Sequence, residues 1–212
     1  MHILISLFLA LLATVPAFAD QAADFAAAEA VFQKAVGGDG GAVEEAVRRF
    51  DKLAAGDGPS ALLYSAYLGA AQAMQGRQAW MPWNKMRATE HGLATLDKTL
   101  RRLEAAHDRD LLRGSPVSLE VRLVAATTFL ALPSLFNRFD SGKQILREAF
   151  ASPAYPAAPG ELKARLHRQA AIAAQHDKNP RDEVAHLKQA IEAATAGPTA
   201  EAARRRLQEL GT

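Results

Sequence analysis

The sequence contains no cysteine, and this excludes disulfide bonds, thiolate catalysis and cysteine-ligated zinc sites. Aromatic residues make up only 7% of the chain, and 25 Lys and Arg nearly balance 23 Asp and Glu. A net charge so close to zero provides no basic footprint for nucleic acid. We therefore expect a fold stabilised by its apolar core alone, in a protein with no nucleic-acid partner.

Only one long apolar run occurs, and it lies at the N-terminus. It covers residues 3–15 and is followed by Pro16 and by the small-x-small triplet Ala17-Phe18-Ala19, although no Lys or Arg precedes it. This order is typical of a signal peptide, whereas a membrane-spanning helix needs about 20 apolar residues. We expect residues 1–19 to be a cleavable signal peptide, and residues 20–212 to be an exported domain with no membrane span. It would be periplasmic if the source is a Gram-negative bacterium.

Helical periodicity recurs throughout the rest of the chain. Alanine, the strongest helix former, is the commonest residue, and apolar residues repeat at the i, i+3, i+4, i+7 spacing of a helix. No segment shows the alternation of a strand. Glycine and proline breaks divide the helices into pairs, which is a pattern typical of repeat proteins. The sequence predicts an all-α fold with repeat-like units at about 22–56, 60–107, 117–152 and 160–196, and a capping helix at 198–210.

The clearest helix start is Asn179-Pro180-Arg181-Asp182. Asparagine is a favoured N-cap, proline is favoured at the first helical position, and an acid in the first turn complements the helix dipole. These four residues predict a helix that begins at Pro180.

Several motifs carry a resemblance to a known family. The segment Pro116-x-x-x-Glu120-Val121-Arg122, followed by Phe139-Asp140 and by Ala149-Phe150-x-x-Pro153, resembles one degenerate unit of the tetratricopeptide family. Tyr67-Leu68-Gly69 contains the Leu-Gly pair of that family, and Ala125-Ala126 stands where the pair falls in the next unit. The resemblance extends over residues 22–210.

This resemblance implies a short α-solenoid, in which antiparallel helix pairs stack as a right-handed superhelix and a concave face binds a peptide or protein partner. The spacing of the units exceeds the 34 residues of the family because the turns at 76–85 and 132–138 are enlarged. Segments 79–85 and 132–138 are also similar to those of a bacterial group of exported repeat proteins. An irregular helical bundle is the alternative that periodicity leaves open.

No spaced set of residues indicates catalysis. The five histidines after the signal peptide form no His-x-x-x-His pair, and phosphate-loop, nucleotide-fold and Gly-x-Ser-x-Gly patterns are absent. A histidine at a helix end, such as His176, commonly complements the helix dipole. We expect a protein that is not an enzyme and has no catalytic residues, no metal site and no cofactor.

The candidate binding residues fall into two groups. Four lie on the first helices of their pairs and are expected on the concave face: Tyr64, Tyr67, Glu120 and Arg122. Six lie in the enlarged turns, where equivalent positions of neighbouring repeats are adjacent. These form a predicted aromatic cluster with a basic rim, in which neither basic residue is expected to serve packing: Trp80, Trp83, Leu135 and Phe136, with Lys85 and Arg138. The turns either bind a partner or only pack on each other.

Three hypotheses follow for function. The first is an exported, non-catalytic adaptor that holds a protein or peptide on an open concave face. The second is a small-ligand-binding accessory protein of an envelope transport or assembly system, and it predicts a closed pocket near Trp80 and Phe136. The third, an enzyme, requires a site assembled from scattered residues such as His91 and Glu120, and no spaced constellation favours it.

Overall fold

The computed structural model describes residues 15–211, with side chains from Gln21 onward. Within this range the predicted all-α class is confirmed, because the chain forms nine α-helices that pack as neighbouring pairs. The helices are α1 (Val15–Val36), α2 (Gly40–Ala54), α3 (Ser60–Gln75), α4 (Pro82–Arg101), α5 (Val117–Leu130), α6 (Phe139–Ala151), α7 (Gly160–His176), α8 (Pro180–Ala193) and α9 (Pro198–Glu209).

The predicted signal peptide falls mainly on residues 1–14, which lie outside the described residues. The remaining part of that prediction, residues 15–19, belongs to the first turns of α1, where side chains are not described. From residue 15 to residue 211, no helix is both long enough and apolar enough to cross a membrane.

Neighbouring helices pack in pairs, and α2 also lies closely against α3, across the boundary between the first two pairs. The members of each pair, α1 with α2, α3 with α4, α5 with α6, and α7 with α8, lie against each other. The first helices also contact one another in order along the row α1, α3, α5, α7 and α9. One apolar core runs from α1 to α7, and a smaller one joins α7, α8 and α9.

A small hairpin corrects the prediction that the chain has no strands. Leu111–Leu112 (β1) pairs antiparallel with Ser115–Pro116 (β2) in the link before α5. Both residues of its turn have positive φ, 51° at Arg113 and 80° at Gly114. Two-residue turns with this backbone conformation match the twist of the strands that they join. Two-residue strands are too short to produce a detectable alternation, so the sequence showed only a Gly-Ser-Pro break.

The boundary of α4 also differs from the prediction, which placed Trp80–Trp83 in a loop. Pro82 is the first residue of α4, so Trp83 lies in its first turn. Proline is favoured at this position because its missing N–H would have no helical partner there.

The start of α8 is confirmed as predicted. The Asn179 side chain accepts a hydrogen bond from the backbone N–H of Asp182 at 3.2 Å, and Pro180 opens the helix. This cap satisfies one of the backbone donors that the first helical turn leaves unpaired.

The link between α4 and α5 is fixed by one carboxylate. Asp108, in the 3-10 turn Ala105–Asp108, accepts hydrogen bonds from the hydroxyls of Ser118 at 2.5 Å and Ser152 at 3.2 Å. Ser118 lies in the first turn of α5, and Ser152 directly follows α6. Asp108 therefore connects the link after α4 to the start of α5 and to the end of α6.

The joint between α6, α7 and α8 is built from stacked rings. The Nδ1 atoms of His167 and His186 lie 3.2 Å apart, and the Tyr155 hydroxyl lies 2.8 Å from His167 Nε2. The Phe150 ring stacks on both imidazoles, with centroids 4.8 Å from His167 and 5.9 Å from His186. Burial, with a smaller contribution from the nearby His186, lowers the pKa of His167 to about 4.

This joint is expected to weaken in acid. The unfolded His167 titrates near 6.5, so between that pH and about 4 the unfolded chain binds a proton that the folded chain excludes. The stabilisation is complete above pH 6.5 and declines as the pH falls, by on the order of 2 kcal/mol. Urea unfolding at several pH values checks this. The dependence should be reduced in His167→Gln and kept in His91→Gln, an exposed control on α4, and an equal dependence in both variants would contradict it.

Candidate functional site

A cavity of about 1020 Å³, partly open to solvent, extends along the row of first helices. Residues from α1, α3, α5, α7 and α9 all line it, together with the start of α4 and the segment after α5. The walls between its ends are mostly apolar, with Ala70, Ala73, Met74, Val124, Ala131, Leu132 and Phe136. The cavity is therefore a product of stacking, since each pair contributes its first helix.

The charges of the lining have a single sign. Arg77, Lys85, Arg165 and Arg168 line the cavity, and none of its lining residues is Asp or Glu. Arg165 is paired, as described below. For Arg77, Lys85 and Arg168, no ion pair or side-chain hydrogen bond is formed with any residue that the structure describes. An apolar cavity with a few unpaired cations fits a partner that is apolar and carries negative charge.

A polar network that joins four helices borders the cavity. The Tyr67 hydroxyl on α3 donates to Glu29 on α1 at 3.3 Å, and Arg113 of the hairpin pairs with the same carboxylate at 2.8 Å. Arg165 on α7 pairs with Glu120 on α5 at 3.4 Å. Two of the five, Tyr67 and Arg165, reach the cavity surface.

Burial determines the electrostatics of this network. Desolvation raises the pKa of Glu120, although Arg165 acts in the opposite direction, and desolvation also raises the pKa of Tyr67. Burial opposes the charge of Arg165, but the attraction of Glu120, Tyr67 and Glu29 together outweighs it, so the pKa of Arg165 is raised. At neutral pH Tyr67 is therefore a neutral donor and Arg165 remains a cation.

The mouth of the cavity is formed by the two enlarged turns. Residues 76–86 and 131–136 both contribute lining side chains. The predicted aromatic cluster is not formed among them, because Trp80 is 91% exposed, Trp83 is 57% exposed and neither contacts another aromatic ring of the described chain. Phe136 is half-buried against the main core, whereas Leu135 is 64% exposed. The turns share one cavity but do not pack ring on ring.

Four of the ten predicted binding residues line the cavity: Tyr67, Lys85, Leu135 and Phe136. Tyr64 does not, because it is 1% exposed and packs on Phe25 with ring centroids 5.1 Å apart. Glu120 takes part only through its ion pair with Arg165. Trp80 and Trp83 stand outside the lining, at the mouth.

The two remaining candidates lie on another surface. Arg122 and Arg138 line a second cavity of about 610 Å³ between α4, α5 and α6. The expectation that Arg138 has no packing role is wrong, because its guanidinium binds both carboxylate oxygens of Asp97, at 2.7 and 3.1 Å, and covers the Phe129 ring at 5.2 Å. Arg122 lies 3.8 Å from Asp108 and was misplaced because it is on the opposite side of α5 from Val124.

Three residues of this site have little signal in the sequence: Glu29, Arg113 and Arg165. Arg165 lies next to the apolar stripe of Leu162 and Leu166, which is the only local sign of a buried cation. Its partner Glu120 is 45 residues away, so the pair is visible only after the helices stack.

The described residues include no group of three or more His, Asp or Glu side chains arranged to hold a metal ion. The fold and the site together define a class, an all-helical protein of stacked helix pairs with an apolar, cation-bearing cavity along its first helices. The chain matches no protein-family model, no curated protein and no solved structure.

Proposed function

We propose that this chain is an exported, non-catalytic binding protein that holds a segment of a partner protein or peptide in the cavity along its first helices. The observation that carries the proposal is that one continuous cavity receives side chains from the first helix of every pair and from α9. A surface made jointly by successive repeats is the usual binding surface of stacked helical arrays. The apolar walls supply burial and the unpaired cations supply orientation.

We further propose that the stack is a short tetratricopeptide-like solenoid with α9 as its cap. Two features support this. First helices contact first helices in sequence order, as in a solenoid. The Leu68-Gly69 pair lies where α3 crosses α4, and a side chain added at Gly69 would stand only 2.9 Å from the Gly92 carbonyl oxygen.

A second candidate is a small amphiphilic ligand, and the size of the cavity favours it. A volume of about 1020 Å³ is at the upper end for small-molecule sites, which measure roughly 300–1,000 Å³. The two tryptophans of the chain both stand at the mouth, so a ligand-dependent emission shift that is lost in Trp83→Ala would report its entry.

The proposal is tested by obstructing the cavity. Thr127→Phe places a ring against the lining from a half-buried position on α5 and should lower partner affinity at least about tenfold, since a partner cannot occupy the filled volume. Glu192→Phe, on the exposed side of α8, is the matched control and should bind as the unaltered protein does. Both variants are first checked for an unchanged melting temperature.

Native mass spectrometry of the complex, isolated from the envelope of the source organism, separates the two candidates. A bound polypeptide that is lost only in Thr127→Phe supports the first, and a bound species below about 1,000 Da supports the second. Partner binding that survives Thr127→Phe at full affinity would contradict both.

A further inference from the structure

Exposed apolar side chains are concentrated in one short segment of this protein. Of the eight large apolar side chains that are exposed among the described residues, four lie between residues 80 and 86. They are Trp80, Met81, Trp83 and Met86, and Trp80 is the most exposed of them at 91%. Soluble surfaces rarely concentrate such residues unless they dock on something.

The charges of the same segment have one sign. Arg77, Lys85 and Arg87 are all exposed, and residues 76–89 contain no Asp or Glu. None of these three cations forms a side-chain ion pair or hydrogen bond with the part of the chain that the structure describes. The next acid along the chain is Glu90 on α4, and across the adjacent turn Asp39 caps α2 and Glu44 accepts a hydrogen bond from Gln75.

The segment is held in position by the rest of the fold. The Gln78 side chain donates to the Gly40 carbonyl at 2.8 Å, and the backbone N–H groups of Asn84 and Lys85 both bond to the Met81 carbonyl at 3.0 Å. The segment is thus anchored on both sides of Pro82: Trp80 and Met81 lie just before α4, and Trp83 and Met86 lie in its first two turns.

We propose that residues 77–87 form a surface that docks on an anionic lipid bilayer, with the Trp and Met side chains in the interface and the three cations against the headgroups. Tryptophan favours the membrane interface because its ring is apolar and its N–H remains hydrated. Lys and Arg beside it add attraction to anionic lipids. Trp, Met and Arg are also common in protein interfaces, but such interfaces pair their charges with opposite ones, whereas three cations stand together here and residues 76–89 contain no acid.

This surface is continuous with the cavity. Met86 belongs to both, and Val36 and Leu135, which are also exposed, line the cavity next to it. A bilayer bound here would face the mouth, so a ligand or partner segment could pass between membrane and cavity without crossing water. The docking surface goes beyond the proposed function, and each can fail without the other.

Vesicle partitioning tests this inference. Sedimentation with vesicles of phosphatidylglycerol and phosphatidylcholine is compared with vesicles of phosphatidylcholine alone. We expect binding to the anionic vesicles, weakened by added salt, and a blue shift of tryptophan emission that brominated lipid quenches. Because the chain has only two tryptophans and both lie in the segment, the emission reports this surface alone.

Matched variants assign the effect to the segment. Trp80→Ala with Trp83→Ala should lower the partition coefficient about tenfold or more, and Lys85→Glu or Arg87→Glu about fivefold each. The controls are Leu111→Ala, an apolar residue 63% exposed in the hairpin, and Lys98→Glu with Arg101→Glu at the other end of α4. The controls should remain within about twofold of the unaltered protein, since screened charges far from the surface contribute little.

Three results would overturn the inference: no preference for anionic vesicles, binding without a change in tryptophan emission, or an equal loss of vesicle binding in the variants of residues 77–87 and in the control variants. If vesicles are not bound but a protein partner is lost in Trp80→Ala, the surface belongs to that partner. Thr127→Phe fills the cavity but does not change residues 77–87, so this variant should still bind vesicles. The two proposals can therefore be tested separately.

Discussion

Gly92→Ala is expected to lower the free energy of unfolding by about 3 kcal/mol or more. A Cβ added at Gly92 would collide with the backbone N of Ala73 and the backbone O of Gly69, and it would stand 2.8 Å from the Ala73 Cα. These are backbone atoms of α3, which cannot rotate away as a side chain can. The helices must separate, and the packing of the α3–α4 pair is then lost along its length.

Denaturant unfolding followed by far-ultraviolet circular dichroism measures this effect. Gly41→Ala is the matched control, because Gly41 is an exposed residue of α2 whose added Cβ would meet only the Asp39 side chain at 3.5 Å. Alanine is the better helix former, so this control should be neutral or more stable by up to about 1 kcal/mol. Equal stabilities of the two variants would show that α3 and α4 do not approach as closely as described.

Arg165→Met is expected to reduce stability by about 2–4 kcal/mol at neutral pH, because it leaves the Glu120 carboxylate buried without its cation. The Glu120 side chain is only 14% exposed, and desolvation already raises its pKa. Methionine keeps most of the apolar length of the arginine, so the change mainly removes charge. The loss should be partly recovered in the double variant Arg165→Met with Glu120→Gln.

The pH dependence of Arg165→Met identifies the cause. Without Arg165 the pKa of Glu120 should rise further, so the folded state takes up a proton at a pH where the unfolded chain remains ionised. A raised folded pKa means that stability falls as the pH rises through it and is recovered in acid. The deficit measured near pH 7.5 should therefore shrink near pH 5. A deficit independent of pH would assign it to lost packing and not to the stranded carboxylate.

The helical fold was predictable because its signals are local. Apolar spacing depends on residues within two turns, and the Asn179-Pro180 start of α8 needs only the hydrogen bond from the Asp182 N–H. Helix ends followed glycine and proline for the same reason. The error at α4 arose where two local signals competed, since Pro82 between two tryptophans suggests a loop but also suits a first helical position.

The site was only partly predictable because its decisive contacts join distant parts of the chain. Tyr67 was predicted on a first helix and Phe136 in an enlarged turn, and both line the cavity. Arg138 was expected to be free for binding, whereas it closes a bidentate pair with Asp97, 41 residues away. Arg165 was not predicted as a site residue, because in the sequence an arginine beside an apolar stripe cannot be distinguished from a solvent-exposed one. Only the folded chain shows its ion pair with Glu120.

The stacking of the helix pairs connects these results. The close approach at Gly92 and the ion pair between Arg165 and Glu120 each hold neighbouring helices at a fixed separation. Helices α3, α5 and α7 all contribute lining residues, so we expect substitutions that disturb their packing to change the cavity as well. Lys85 and Arg168 contribute to the cavity without stabilising the stack in any described contact, and changes there should alter binding alone.

A site-specific crosslink tests most directly whether the cavity is the binding site. The chain has no cysteine, so Thr127→Cys and Glu192→Cys each create a single thiol for a photoreactive label, one in the cavity and one on the outer side of α8. With a partner isolated from the envelope extract, the label at position 127 should crosslink, excess unlabelled protein should compete, and the label at position 192 should give background yield. Equal crosslinking at both positions, or crosslinking at position 192 alone, would contradict the cavity as the site.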